Sequence, residues 1–146
     1  MNTITRKLEW DSGHRVLGHE GKCRHIHGHR YIAEVTVSAE KLDSLGRVID
    51  FSIIKKEIGE WIDYYWDHNL LLHPKDPLTK LWFTEGSGDL FGDRGPFIFS
   101  GNPTAENMAR HLFQVSCVLL KKHSISVVKV RIYETPNSWA DYSEDS

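Results

Sequence analysis

Nine of the 146 residues are histidine, and five of them fall within sixteen consecutive positions: His14, His19, His25, His27 and His29. An even scatter would put about one there. Neutral imidazole is the commonest protein ligand for transition metals, and it suits Zn²⁺. Gly, Cys and Arg interrupt the cluster, which separates it from a contiguous affinity tag. His27-Gly28-His29 carries the sharpest signal. Side chains two apart on a strand project from one face, so both rings can reach a single ion. A third ligand must come from elsewhere, and His14, His19 and His25 compete for it. His14 is well placed if the strand it ends pairs with the strand that starts at His27. Three histidines leave a fourth position on Zn²⁺ open, as in catalytic sites; structural zinc uses more thiolates, and only Cys23 lies nearby.

Cys23 stands four residues before His27. A free cysteine is commonly a small buried apolar residue; beside a metal its thiol ionises more readily and can act as base or nucleophile. Both readings fit. Cys117 falls in an apolar helical stretch and reads as structural. Asp67 directly precedes His68. A carboxylate beside an imidazole can fix its tautomer and raise its basicity, or Asp67 can simply turn the chain. Glu134 at a strand end and Glu106 in the first turn of a helix also read as a turn residue and a dipole-compatible surface residue.

Residues 3–10 have weak strand character, and the stretch from His29 alternates strictly through Tyr31, Ala33, Val35 and Val37. A turn at Leu45-Gly46-Arg47 leads to a helix capped by Asp50 or Ser52 and reaching about Trp66. Its apolar face is Ile54, Ile58, Trp61, Ile62 and Tyr65. A second helix starts at Asn102-Pro103-Thr104 and runs to about Lys122. Val127–Tyr133 reads as a strong strand and Trp139–Tyr142 as a short one. Between the helices lies a loop over about residues 73–101, too aromatic for a solvated linker, which packs on the body, on another subunit or over a site. This order predicts an α+β fold with an antiparallel sheet.

The length predicts one domain, residues 1–146. A formal charge of −2 gives no electrostatic case for nucleic acid or an anionic membrane surface. No apolar run approaches the roughly 20 residues that span a bilayer, and the first residues lack a signal-peptide core, so a cytoplasmic protein is expected. Two distant cysteines make no disulfide scaffold.

Taken in order, Ser12-Gly13-His14-Arg15, Cys23-x-x-x-His27-Gly28-His29, Val48-Ile49-Asp50-Phe51, Asp67-His68, Pro103-Thr104-Ala105-Glu106-Asn107 and Glu134-Thr135-Pro136 resemble the 6-pyruvoyltetrahydropterin synthase / 6-carboxytetrahydropterin synthase family. Three residues between Cys23 and the HGH resemble its queuosine branch. The resemblance implies the tunnelling fold (T-fold), an antiparallel sheet with two helices on one side, assembled by trimers and hexamers into an oligomeric barrel. It implies that His14, His27 and His29 bind Zn²⁺ and that Cys23 is the general base, with His68 and Asp67 as its relay. Glu134 becomes the pterin anchor, and Thr104 and Glu106 secondary pocket residues. The implied substrate is 7,8-dihydroneopterin triphosphate, and the implied products are 6-carboxytetrahydropterin, acetaldehyde and triphosphate. The alternatives are a 6-pyruvoyltetrahydropterin synthase and a non-catalytic zinc- or pterin-binding protein. The long 73–101 segment departs from shorter members; its Lys75, Lys80 and Arg94 could meet a triphosphate, though basic surface residues are the default.

Overall fold

A computed structural model describes residues 1–85 and 90–145. Residues 86–89, inside the expected 73–101 loop, lie outside the described residues, as does residue 146. Six strands form one sheet: β1 (Thr3–His14), β2 (His27–Ser38), β3 (Asn69–Leu72), β4 (Phe97–Ile98), β5 (Ser126–Thr135) and β6 (Ser138–Tyr142). Their order across the sheet is β4-β3-β1-β2-β5-β6.

β1 and β2 pair antiparallel without a break from Thr3↔Ser38 to His14↔His27. Alternation sets their faces. Leu8, Trp10, Ser12 and His14 of β1 point inward, as do Tyr31, Ala33, Val35 and Val37 of β2. β5 pairs antiparallel with β2, and β6 with β5, each with one register shift.

Helix α1 starts at Phe51, where the Asp50 carboxylate accepts from Ser52 N at 2.8 Å. It runs Phe51–Ile54, widens to a π-helical stretch over Lys55–Gly59 and resumes over Glu60–Tyr65. Ile54, Ile58 and Ile62, spaced by four, are buried, followed by Trp66. Helix α2 spans Pro77–Glu85 and α3 spans Ala105–Leu119. Thr104 caps α3 by accepting from Asn107 N, as its residue type favours. Met108, Ala109, Leu112, Phe113 and Ser116 bury the inner face of α3 against the sheet.

β1, β2, β5 and β6 pair antiparallel, as expected. The sheet as a whole is mixed, because β3 and β4 are added in parallel register beside β1. Both are too short to show a period of two. β1 extends to His14 rather than residue 10, since its polar end still has a full β2 partner. The 73–101 stretch is no plain loop: it holds α2 and β4. Pro77 at the first helical position and Asp76 before it were the available signals. Cys117 is exposed on α3, one step round the helix from buried Ser116, so its structural reading is corrected.

Candidate metal centre

The β1–β2 register puts His14 directly across from His27, and His29 lies two residues along the same face. The three rings pack with centroids 4.6–5.0 Å apart, and their ligand nitrogens lie within 4.8 Å of one another. Each ring is prepared for a cation. His14 Nδ1–H donates to Pro103 O at 2.7 Å and His27 Nδ1–H donates to His25 O at 2.7 Å. A carbonyl can only accept, so both imidazoles are fixed with a lone pair on Nε2. These two lone pairs face each other at 3.1 Å, close to the roughly 3.3 Å set by ~2.0–2.1 Å bonds at tetrahedral angles. His29 Nε2 is buried without a partner. Two opposed acceptors and one orphaned nitrogen fit a bound Zn²⁺. Burial lowers His14 to about 4, and lowers His29 below the usual imidazole range, which keeps both rings neutral as ligands must be. His19 and His25 stay outside this cluster: His19 Nδ1 accepts from Gly21 N at 2.8 Å, and His25 is exposed.

Cys23 and Glu134 approach the same covered face. Burial pushes the Tyr31 phenol far above its ordinary pKa, and the nearby Glu134 carboxylate adds to the rise. Glu134 also opposes the lowering of His29. Cys23 sits in a single turn, Lys22–Arg24, whose carbonyl accepts from Val16 N. In the Asp67–His68 pair, His68 Nδ1 lies 2.9 Å from Asp67 Oδ1. The pair lies on the opposite face of the sheet. The Asp11 carboxylate, projecting outward between inward-facing Trp10 and Ser12, has ligand atoms within 4.8 Å of those of Asp67 and His68, while Asp67 Oδ1 accepts from Asp11 N and His68 N donates to Asp11 O. His68 borders a cleft of about 440 Å³ with Asp11, Ser12, Gly13, Gly28, His29 and Arg30, and its side chain is 77% exposed.

The sequence model of the family described as 6-pyruvoyl tetrahydropterin synthase matches residues 3–145. The chain belongs to that family. A relative named 6-carboxy-5,6,7,8-tetrahydropterin synthase, from Rickettsia felis, is 39% identical over 97% of this chain and 99% of its own length. One of the same name from Haemophilus influenzae is 30% identical over 99% of this chain and all of its own. A solved 6-pyruvoyl tetrahydropterin synthase from Caenorhabditis elegans superposes with a TM-score of 0.70 at 25% identity, covering 99% of this chain and 96% of that one. An uncharacterised protein from Wolinella succinogenes reaches a TM-score of 0.84 at 22% identity, over 99% and 98% of the two chains. The fold is therefore the T-fold of these structures, and the chain is an enzyme, a lyase of the 6-carboxytetrahydropterin synthase kind.

Within this member of the 6-pyruvoyl tetrahydropterin synthase family, the remaining candidates divide. Thr104 uses its hydroxyl oxygen as the α3 cap, and Glu106 is exposed in the first turn. Arg94 donates to backbone carbonyls at the end of α1 and on either side of His68. Lys75 and Lys80 are exposed. Sequence reasoning missed Asp11, Asp76, Asn102 and the Pro103 carbonyl. Asn102 clamps Leu17 by both its amide groups, at 2.8 and 3.0 Å, fixing the chain just beyond β1. Asn102-Pro103 had read only as a helix start, and nothing in the sequence linked it to residue 14 or 17.

Proposed function

We propose that the protein is a zinc-dependent carbon–carbon lyase. It converts 7,8-dihydroneopterin triphosphate and water to 6-carboxy-5,6,7,8-tetrahydropterin, acetaldehyde and triphosphate, a step of queuosine (7-deazapurine) biosynthesis in the cytoplasm. The convergence of three tautomer-fixed or unpartnered imidazole nitrogens carries the zinc assignment. The names of relatives and the three-residue gap between Cys23 and His27 favour the carboxy product.

When bound to His14, His27 and His29, zinc supplies Lewis-acid polarisation of the substrate side-chain oxygens. Glu134 accepts two parallel hydrogen bonds from the pterin 2-amino group and N3–H, which fixes the ring and so the reacting carbons. Cys23, as thiolate, removes the side-chain proton. His68, its Nδ1 held by Asp67, carries protons through its outward Nε2. Thr104 and Glu106 border the pocket.

Cys23 and His68 occupy opposite faces of one subunit's sheet, so they meet on one substrate only when His68 comes from a second copy. The free edges at β4 and β6 suit sheet extension between copies, and the assembly we propose is trimer-based and hexameric. Mass identification of the product together with an acetaldehyde assay tests the reading. A pyruvoyl product without acetaldehyde supports triphosphate elimination alone, and no turnover supports a binding protein. Cys23→Ala is expected to keep zinc and lose turnover, whereas His27→Ala loses zinc.

A further inference from the structure

Arg94 lies between α2 and β4, within the 73–101 segment. Its guanidinium donates to four backbone carbonyls. Nη1 reaches Asp63 O at 3.4 Å and Tyr64 O, and Nη2 reaches Asp67 O at 2.8 Å and His68 O at 3.4 Å. Only Nε–H is left of its five donors. Asp63 and Tyr64 belong to the last turn of α1, where carbonyls lack helical partners and the dipole is negative. The other two carbonyls bracket His68. That residue has φ +55°, the only non-glycine in the left-handed region among the described residues. Histidine visits this region more readily than most residues, but it persists there only when its surroundings enforce it.

Two further contacts tie the same segment down. Asn69 Nδ2 donates to Tyr65 O at 3.0 Å and to Gly95 O at 3.1 Å. Gly95 has φ +70°, and a Cβ there would lie 2.5 Å from the Trp82 indole, so the α2 side chain rests directly on the Gly95 backbone. Trp82 thus seats Gly95, Gly95 places Arg94, and Arg94 grips the turn that carries His68.

We propose that Arg94 is a positioning residue for His68: its fork holds the Asp67–His68 turn in the left-handed conformation that aims the imidazole, and α2 and Gly95 deliver that fork. The inference rests on the reading of His68 as the proton carrier.

The experiment compares Arg94→Ala, Arg94→Lys and His68→Ala with the wild type on dihydroneopterin triphosphate, alongside NMR spectra of ring-labelled histidine with His68 assigned by its alanine variant. In Arg94→Ala, kcat is expected to fall roughly ten- to a hundredfold, the scale of a 1 Å misplacement, with KM within about threefold of wild type. Added guanidinium restores part of kcat in Arg94→Ala and none in His68→Ala. Arg94→Lys keeps the charge but loses the fork, and stays low. The His68 ring resonance shifts in both Arg94 variants while zinc content is unchanged. A raised KM at wild-type kcat overturns the proposal and makes Arg94 a triphosphate ligand; so does an unshifted His68 resonance. If Arg94→Ala does not fold, Arg94→Lys decides by the same two readouts. Full activity in His68→Ala removes the proton-carrier reading, and the resonance shift still tests whether Arg94 sets the turn.

Discussion

Replacing Asp76 with alanine removes the only fully buried carboxylate among the described residues. Its oxygens accept from Arg15 Nε at 2.5 Å and Nη2 at 2.8 Å, and Oδ1 also accepts from Leu78 N at 2.9 Å, capping α2. Breaking a fully buried ion pair costs about 3–5 kcal/mol, because the stranded charge cannot reach water. The Arg15 side chain is 23% exposed and can rehydrate, so about 2 kcal/mol is the appropriate share. The lost cap adds about 1 kcal/mol. At roughly 2–4 °C per kcal/mol for a chain of this size, the thermal midpoint should fall by about 6–12 °C. Circular dichroism melts at one fixed protein concentration measure this, since assembly makes the midpoint concentration-dependent. Asp76→Asn keeps the cap acceptor and one Arg15 bond and should lose about half as much. Zinc content at low temperature should stay at the wild-type level, because the Pro103 carbonyl orients His14 independently. A fall of less than about 2 °C in Asp76→Ala would refute the reasoning, since even the lost cap alone exceeds it.

Gly95→Ala forces a Cβ into the Trp82 indole and strains a left-handed backbone, so stability should drop by about 2 kcal/mol or more in urea titration. A wild-type urea midpoint would mean that Trp82 does not seat this turn. Burial among Trp61, Trp66, Phe97 and Phe99 lowers the His111 pKa below its usual 6.5. The unfolded chain therefore takes up a proton at a higher pH than the folded one. Stability is full above about pH 6.5 and falls as pH drops through the folded value. In zinc-loaded protein, His111→Leu should flatten that part of the stability profile between pH 5 and 7.5, and an unchanged slope would assign it to another group.

Much of the candidate site was legible because its information is local. His27-Gly28-His29 puts two imidazoles on one face by strand alternation alone, and Asp67-His68 is a contact between chain neighbours. The choice of His14 over His19 and His25 was conditional on strand pairing, and the His14↔His27 register supplies that condition. Long periodic elements were readable for the same reason, since repetition along the chain reports a buried face. β3, β4 and α2 were not, being too short to build a period and stabilised by neighbours distant in sequence.

The sequence by itself determined the histidine cluster, the two long paired strands, the capped amphipathic helices and the family. Only the tertiary structure decided which face each group occupies and what orients it. The Pro103 carbonyl meets His14 across 89 positions, and Asp76 meets Arg15 across 61. Such contacts leave no periodic trace, because closing a long loop brings together residues whose spacing along the chain carries no signal. The separation of Cys23 from His68 onto opposite faces is of this kind too. It follows from the sheet's alternation and from the outward Asp11 carboxylate that meets Asp67 and His68, not from either residue's type.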